Sequence, residues 1–115
     1  MQALSPELFY TMGHDPMLVL SAHGTIEQAN DAFFRLFDGI GEMQLNRPFL
    51  SFVQADYQSL VSERLNQCRE AVGELMVTVP FRCAGGYYRW FEWSCSAADA
   101  TGRLKCVARD VTHYE

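Results

Sequence analysis

Residues 87–97 read "YYRWFEWSCSA" and hold five aromatic side chains in eleven positions. Successive side chains of a β-strand point to opposite faces of a sheet, so this stretch divides into two sets. One set is wholly apolar: Phe91, Trp93, Cys95 and Ala97. The other set mixes aromatic and polar side chains: Tyr88, Trp90, Glu92, Ser94 and Ser96. We therefore predict a long strand whose first set faces a core and whose second set faces outward.

Two further strands adjoin this one through short turns that contain glycine. The sequence predicts strands over Glu74–Cys83, Tyr87–Ala98 and Leu104–Asp110, separated by "AGG" and "DATG". Strands joined by tight turns pair as antiparallel neighbours. On the first of these strands the apolar residues Val77, Val79 and Phe81 share one parity. On the last strand the alternation predicts that Leu104, Cys106 and Ala108 face inward. It predicts outward positions on the last strand for Lys105, Val107 and Arg109.

The first part of the chain predicts a helix and then a hairpin. Residues 4–12, "LSPELFYTM", have apolar side chains at near-helical spacing, and Gly13 follows them. Met17–Ser21 and Thr25–Ala29 have strand character and are separated by "AHG", whose glycine suits a tight turn.

Helices are predicted between this hairpin and the last three strands. Asn30 is a good N-cap for a short helix, "DAFFRLF". Residues 38–53 are predicted to form short helical turns and loop. Asp56 is predicted to cap a longer helix that runs to about Ala71, with one apolar and one polar face. Five strands with helices over one face indicate an α+β domain.

Composition narrows the class of protein. The 115 residues suit a single domain, and 49% of them are hydrophobic, which is enough for a core. The net charge is -5 and Lys105 is the only lysine, so we expect no nucleic-acid binding and no direct membrane binding. The first residues lack the basic and long apolar regions of a signal peptide, and no apolar run reaches the length of a membrane span, so we expect a cytoplasmic location. The four cysteines, without metal-ligand spacing, are predicted to be free and buried.

Three stretches, taken in order, resemble a PAS domain with its PAC-like second half. They are "VLSAHGTIEQANDAFFRLF", with an N-x-A-F helix start, "RPFLSFVQADYQSLV", and the pair "FRCAGGYYRWFEWSCSA" and "GRLKCVARDVTHYE". The last pair contains R-x-x-x-G-x-Y-R-W-x-E and D-[IV]-T. The resemblance covers about residues 14–114. We therefore assign residues 1–13 to a flanking helix and 14–115 to the PAS domain.

The resemblance implies a five-stranded antiparallel sheet in the order 2-1-5-4-3 and a function in sensing rather than catalysis. Asp110, Val111 and Thr112 match the D-[IV]-T segment, and there the family passes a signal to a following effector. The chain has Asp38 and Asn46 at two places where the family often has glycine. Since both residue types tolerate left-handed backbone, we expect only a local loop variation there.

In this family a ligand lies between the helices and the inner face of the sheet. The alternative is that the same side chains fill a close-packed core with no ligand. The candidate lining residues are Leu20, Phe33, Phe37, Phe52, Leu60, Leu65, Val79, Phe91, Trp93, Cys95 and Cys106.

No cofactor is indicated by the sequence. Haem sensors of the family use a histidine on or near the long helix, and His14, His23 and His113 all lie elsewhere. Photosensory flavin binding needs G-x-N-C-R-F-L-Q, and "LNQCRE" around Cys68 lies on the wrong helix. Cys95 and Cys106 share inward positions on adjacent strands, but burial makes thiols unreactive, so a core role is favoured over redox chemistry.

We expect a regulatory sensor and dimerisation module of a larger protein, with a histidine kinase or a cyclic-dinucleotide enzyme such as a diguanylate cyclase as effector. A ligand-free interaction scaffold is the alternative. A small enzyme of the ketosteroid-isomerase type would need an inward carboxylate, and Glu92 is predicted to face outward. The predicted homodimer contact comprises Leu8, Phe9, Met12, Tyr88, Trp90 and Val107.

Overall fold

Five strands pair into one antiparallel sheet in the order β2-β1-β5-β4-β3, as the resemblance implied. The computed structural model describes residues 15–37, 45–71, 74–97 and 100–112, so the predicted helix at 4–12 lies outside the described residues. The strands are β1 (Met17–Leu20), β2 (Ile26–Ala29), β3 (Glu74–Arg82), β4 (Tyr88–Ala97) and β5 (Leu104–Asp110). The predicted strand ends are confirmed to within a residue.

In the described residues between β2 and β3 there are two α-helices and two short 3₁₀ helices. They are α1 (Asp31–Phe37), the 3₁₀ helices Phe49–Phe52 and Ala55–Tyr57, and α2 (Gln58–Ala71). The fold is therefore α+β, with the helices packed over one face of the sheet. In the described part of the chain, no helix combines the length and apolar character that crossing a bilayer requires.

Asn30 joins the start of β1 to the start of α1. Its side-chain oxygen accepts hydrogen bonds from the Phe33 amide and from the Met17 amide, both at 3.0 Å. Its amide nitrogen donates to the Asp15 carbonyl. The predicted N-cap is thus confirmed, and the side chain is almost fully buried because all its polar atoms are satisfied.

The start of the long helix differs from the prediction. Asp56 lies inside the second 3₁₀ helix, and α2 begins only at Gln58. The Gln58 side chain donates to the Leu50 and Val53 carbonyls, so it ties α2 to the preceding 3₁₀ turns. The helix begins later than predicted because the residues before it pair with the edge of the sheet, where the Gln54 amide donates to the Pro80 carbonyl.

The face assignment of the strands is confirmed. The predicted inward side chains of β4 and β5, apart from the terminal Ala97, are buried: Phe91, Trp93, Cys95, Leu104, Cys106 and Ala108. They form one core with Phe33 and Phe37 of α1 and with Val61, Leu65 and Cys68 of α2. The sheet's inner face and the helices therefore enclose the interior that the resemblance marks as the ligand region.

Two residues in loops, Asn46 and Gly102, have positive φ angles. Asn46 has φ 66° and so adopts the left-handed conformation that the sequence analysis expected it to tolerate. Asp38, the other such position, lies outside the described residues. Gly102 has φ +93°, and a Cβ there would come within 3.1 Å of the Ala22 Cβ. The β4–β5 turn therefore approaches the β1–β2 turn closely at a position that suits only glycine.

Candidate functional site

The interior between helices and sheet is dominated by contacting aromatic rings. Phe37 on α1 lies 4.8 Å from Phe81 and 5.0 Å from Phe91, measured between ring centroids. Phe81 stacks on Phe52 at 5.3 Å and contacts Trp93 at 5.0 Å. Edge-to-face and offset pairs at these distances are favourable. The structure thus brings together predicted lining residues from both helical and strand segments into one cluster.

One predicted lining residue is wrongly placed. Leu60 is 37% exposed, whereas its neighbour Val61 is fully buried. Val61, Leu65 and Cys68 are spaced by four and three residues, so they form the buried stripe of α2 and turn Leu60 toward solvent. The other predicted lining residues are buried: Leu20, Phe33, Phe37, Phe52, Leu65, Val79, Phe91, Trp93, Cys95 and Cys106.

Two phenylalanines at the centre of the cluster were absent from the predicted lining set. Phe81 contacts the rings of Phe37, Phe52 and Trp93, and Phe49 lies 5.0 Å from Trp93. Phe81 shares its parity on β3 with Val79, which the predicted lining set did include. No periodicity marked Phe49, because it lies in a short 3₁₀ helix within a segment predicted mainly as loop.

Trp93 carries the polar atom of this interior that lacks a partner. Its side chain is fully buried, and its indole Nε1 is the buried side-chain nitrogen or oxygen for which the described residues supply no hydrogen bond. Phe49 and Phe81 contact the indole from different directions. A buried donor without an acceptor costs about 1–3 kcal/mol, so this N–H is a natural attachment point for a ligand acceptor.

Three thiols meet between α2 and the sheet. Cys95 and Cys106 are direct partners across β4 and β5, and the Cys68 thiol lies 3.7 Å from the Cys95 carbonyl oxygen. All four cysteines of the chain are free and buried, as predicted. Burial raises the pKa of the Cys68 and Cys83 thiols and raises the pKa of Cys106 strongly, with a further contribution from its hydrogen bond to Cys95. These thiols are therefore small core side chains rather than nucleophiles.

The predicted exit segment is tied to β4 by a compact set of hydrogen bonds. The Val111 amide donates to the Trp90 carbonyl at 2.8 Å, and the Trp90 amide donates to the Thr112 hydroxyl at 3.1 Å. The Thr112 hydroxyl and amide donate to Asp110 Oδ1 at 2.6 and 2.9 Å. Arg89 Nε lies 2.7 Å from Asp110 Oδ2. Both carboxylate oxygens of Asp110 are therefore engaged.

This bonding sets the charge state of Asp110. Burial alone would raise the pKa of Asp110, but the hydrogen bonds from the Thr112 hydroxyl and amide, together with the Arg89 guanidinium, outweigh it. The net result is a pKa below the ordinary value for aspartate. The same pairing raises the pKa of Arg89. The ion pair is thus fully charged at neutral pH.

On the outer face of the sheet, Val107 lies apart from the predicted contact residue Trp90. Trp90 packs edge-on against Tyr57 of the second 3₁₀ helix, with centroids 5.7 Å apart, so part of its ring is covered within the chain. Val107 pairs with Ser94, four residues along β4 from Trp90, or about 13 Å. There Val107 packs with Met17 and Val19, which are buried on the face opposite the ring cluster.

The other predicted dimer contacts are Tyr88 and three residues of the predicted flanking helix. Tyr88 is 44% exposed, and the predicted contacts Leu8, Phe9 and Met12 lie outside the described residues.

The enzyme alternative requires a carboxylate that faces the interior. Glu92 lies on the outward face, where its carboxylate pairs with Arg109 at 3.1 Å. Among the side chains whose burial the structure describes, no aspartate or glutamate is buried. The ketosteroid-isomerase alternative therefore finds no inward carboxylate there.

The described residues contain no set of side chains suited to bind a metal ion, and no histidine suited to bind haem lies on the long helix. No group of three histidine, cysteine, aspartate or glutamate side chains there is arranged to hold a metal ion. His23 is exposed in the β1–β2 turn, and His14 and His113 lie outside the described ranges.

Comparison with known proteins gives similarity at the level of structure. The sequence matches no protein-family model and is not significantly similar to any curated protein sequence. A PAS domain from Colwellia psychrerythraea superimposes with a TM-score of 0.79 at 16% identity, covering 93% of this chain and 94% of that one. The PAS domain of the Cronobacter turicensis quorum-sensing receptor RpfR, in complex with BDSF, gives 0.75 at 17% identity, covering 87% and 96%.

A third similar structure is a domain of a sensory box sensor histidine kinase/response regulator from Geobacter sulfurreducens. Its TM-score is 0.73 at 18% identity, and the match covers 90% of this chain and 89% of that one. At these identities the likeness establishes the arrangement of helices and strands. Together with the strand order and the position of the helices, it shows that the chain has the PAS fold.

Proposed function

We propose that the chain is a sensory PAS module that binds a small molecule in its interior and passes the change to an effector. The unpartnered indole N–H of Trp93 is the observation that carries this proposal. It lies among aromatic rings, so the ligand that fits is mainly apolar with one hydrogen-bond acceptor. The RpfR domain, whose structure is a complex with BDSF, supports a small-molecule ligand in this fold.

The route for the signal follows β4 to the exit segment. Trp93 pairs with Ala108 across β4 and β5, and Trp90, three residues earlier on β4, bonds to Val111 and Thr112. A shift of Trp93 on ligand binding would be carried along a continuous strand to these bonds. A ligand changes the balance of two arrangements only by its differential affinity for them. We propose the Asp110–Thr112 bonds as the element that differs between the two.

We also propose an effector, a cellular location and an oligomeric state for the module. The effector is a histidine kinase or a cyclic-dinucleotide enzyme, and the Geobacter domain supports the first of these. The domain itself is non-catalytic. It acts in the cytoplasm, in keeping with four free cysteines. It forms a homodimer through the outer face, where Tyr88 is 44% exposed and Val107 is only partly buried.

A ligand-free interaction scaffold is the competing function, favoured by the ring contacts that fill the cluster around Phe81. Native mass spectrometry and an absorption spectrum of the freshly purified chain separate the two. A sensor gives an added mass that disappears on denaturation, and the mass identifies the ligand. A colourless protein that stays at the bare chain mass, even after incubation with an extract of the producing cells, supports the scaffold instead.

A further inference from the structure

A cleft on another part of the molecule from the ring cluster opens between the β1–β2 turn, the first 3₁₀ helix and α2. Its volume is about 200 Å³, below the roughly 300–1,000 Å³ of pockets for drug-sized ligands, so it suits a small molecule. We call it the Arg69 cleft. Its lining residues are Ala22, His23, Gly24, Pro48, Leu50, Ser62, Leu65, Asn66 and Arg69.

Arg69 supplies the positive charge of this cleft. Its guanidinium reaches three neutral acceptors: the Ser21 carbonyl at 3.3 Å, the Gly102 carbonyl at 3.4 Å and the Asn66 side-chain oxygen at 3.4 Å. These hydrogen bonds are long, and charge-assisted bonds to a carboxylate are typically 2.7–2.9 Å. Among the described residues no carboxylate pairs with Arg69, whereas Arg89, Arg103 and Arg109 each pair with one.

The rest of the lining favours an anion with a short apolar body. Ser62, Asn66 and His23 offer side-chain hydrogen-bonding groups, and no acidic residue lines the cleft. Pro48, Leu50 and Leu65 supply apolar surface on the other side. The chain as a whole carries a net charge of -5, yet no acidic side chain lies in the lining of this cleft.

We propose that the Arg69 cleft binds a small organic carboxylate. The carboxylate pairs with the Arg69 guanidinium, and the ligand's apolar portion contacts Leu50, Leu65 and Pro48. Because Arg69 also reaches the β1–β2 and β4–β5 turns, the bound anion would fix α2 against both turns. The proposal does not depend on a ligand beside Trp93, so either site can fail without the other.

The test is an NMR titration of the ¹⁵N-labelled chain with sodium butyrate at constant ionic strength. We expect saturable shifts of the amide signals of Gly24, Ser62 and Asn66, with butyramide, the neutral analogue, producing none of them. Arg69→Met should weaken butyrate at least tenfold. Arg64→Met is the matched control on the same helix, since Arg64 donates to the Met76 carbonyl outside the cleft, and it should leave the affinity unchanged.

A second variant covers the case in which Arg69→Met does not fold. Ser62→Asp adds a negative charge to the cleft and should weaken butyrate at least tenfold while the rest of the spectrum is preserved. Shifts that stay linear to high concentration, that are equal for butyramide, or that survive both variants would overturn the proposal. Saturation by inorganic phosphate but not by butyrate would overturn the carboxylate assignment. Shifts centred on Trp93 would move the ligand to the interior and also overturn it.

Discussion

Arg89 and Asp110 form an ion pair between β4 and β5, with Nε 2.7 Å from Oδ2, where the last strand leaves the sheet. The second carboxylate oxygen of Asp110 accepts two hydrogen bonds from Thr112. The side chains are about one-third exposed, at 35% and 32%, so solvent screens the pair in part. The end of β5 is therefore held by bonds that can be broken at modest cost, which suits a segment that changes during signalling.

Removing the charge of Asp110 should loosen this exit without unfolding the domain. Asp110→Asn is expected to lower the free energy of unfolding by about 1 kcal/mol at neutral pH, because charge-assisted bonds are lost from a partly screened site. Urea unfolding followed by tryptophan fluorescence measures it. Glu92→Gln is the control, since the Glu92–Arg109 pair lies on the outward face away from the exit, and it should cost less. An equal effect of both variants would argue against a special role of Asp110.

The stability difference should also depend on pH in a defined direction. Because the pKa of Asp110 is lowered in the folded state, its contribution is complete above the unfolded value of about 3.9. The contribution is lost as pH falls through the lower folded pKa. The gap between wild type and Asp110→Asn should thus be constant from pH 7 to about pH 5 and shrink below about pH 4. A gap that widens on acidification would contradict the assignment.

Phe81 should be among the most sensitive core positions. Its ring contacts Phe37, Phe52 and Trp93, so Phe81→Ala removes contacts to both helical segments and the sheet. The expected loss of unfolding free energy is about 4 kcal/mol. Met76→Ala on the same strand, at a side chain that is 53% exposed, should cost less than about 1 kcal/mol. Similar costs for the two variants would show that the ring cluster is not the core.

Self-association should depend on Val107, which is only partly buried on the outer face. Val107→Glu places a charge on this face and is expected to weaken a homodimer at least tenfold in sedimentation equilibrium, with the monomer still folded by circular dichroism. Lys105→Glu, at another outward position of β5, is the matched control and should have a smaller effect. A wild-type chain that stays monomeric at high concentration would show that the proposed homodimer does not form.

Much of the fold was predictable because alternation and turns are local signals. The parity of Phe91 and Trp93 predicted the inner face of β4, and Asn30 predicted the start of α1 from its capping chemistry alone. The start of α2 was not predictable in the same way. The segment before it pairs with the Pro80 carbonyl on the sheet edge, and a contact between distant parts of the chain leaves no local pattern.

The candidate site was predictable only in part for the same reason. Leu60 and Val61 are adjacent apolar residues, and the choice of which one faces inward depends on how α2 rotates against the sheet. The Tyr57–Trp90 contact covers a ring that parity alone had left free. Arg69 gave no sequence signal, because its acceptors, Ser21 and Gly102, lie 48 and 33 residues away.

The central claim is that Trp93 Nε1–H is the attachment point of an interior ligand. The most direct measurement compares the indole ¹H–¹⁵N signals of the two tryptophans in the protein as purified and after bound molecules are removed by unfolding and refolding. The account predicts that the Trp93 signal moves on removal and returns when the extracted ligand is added back. The Trp90 indole, which packs against Tyr57 near the exit segment, reports whether the change is passed along β4. Identical Trp93 signals in all three samples would contradict the account.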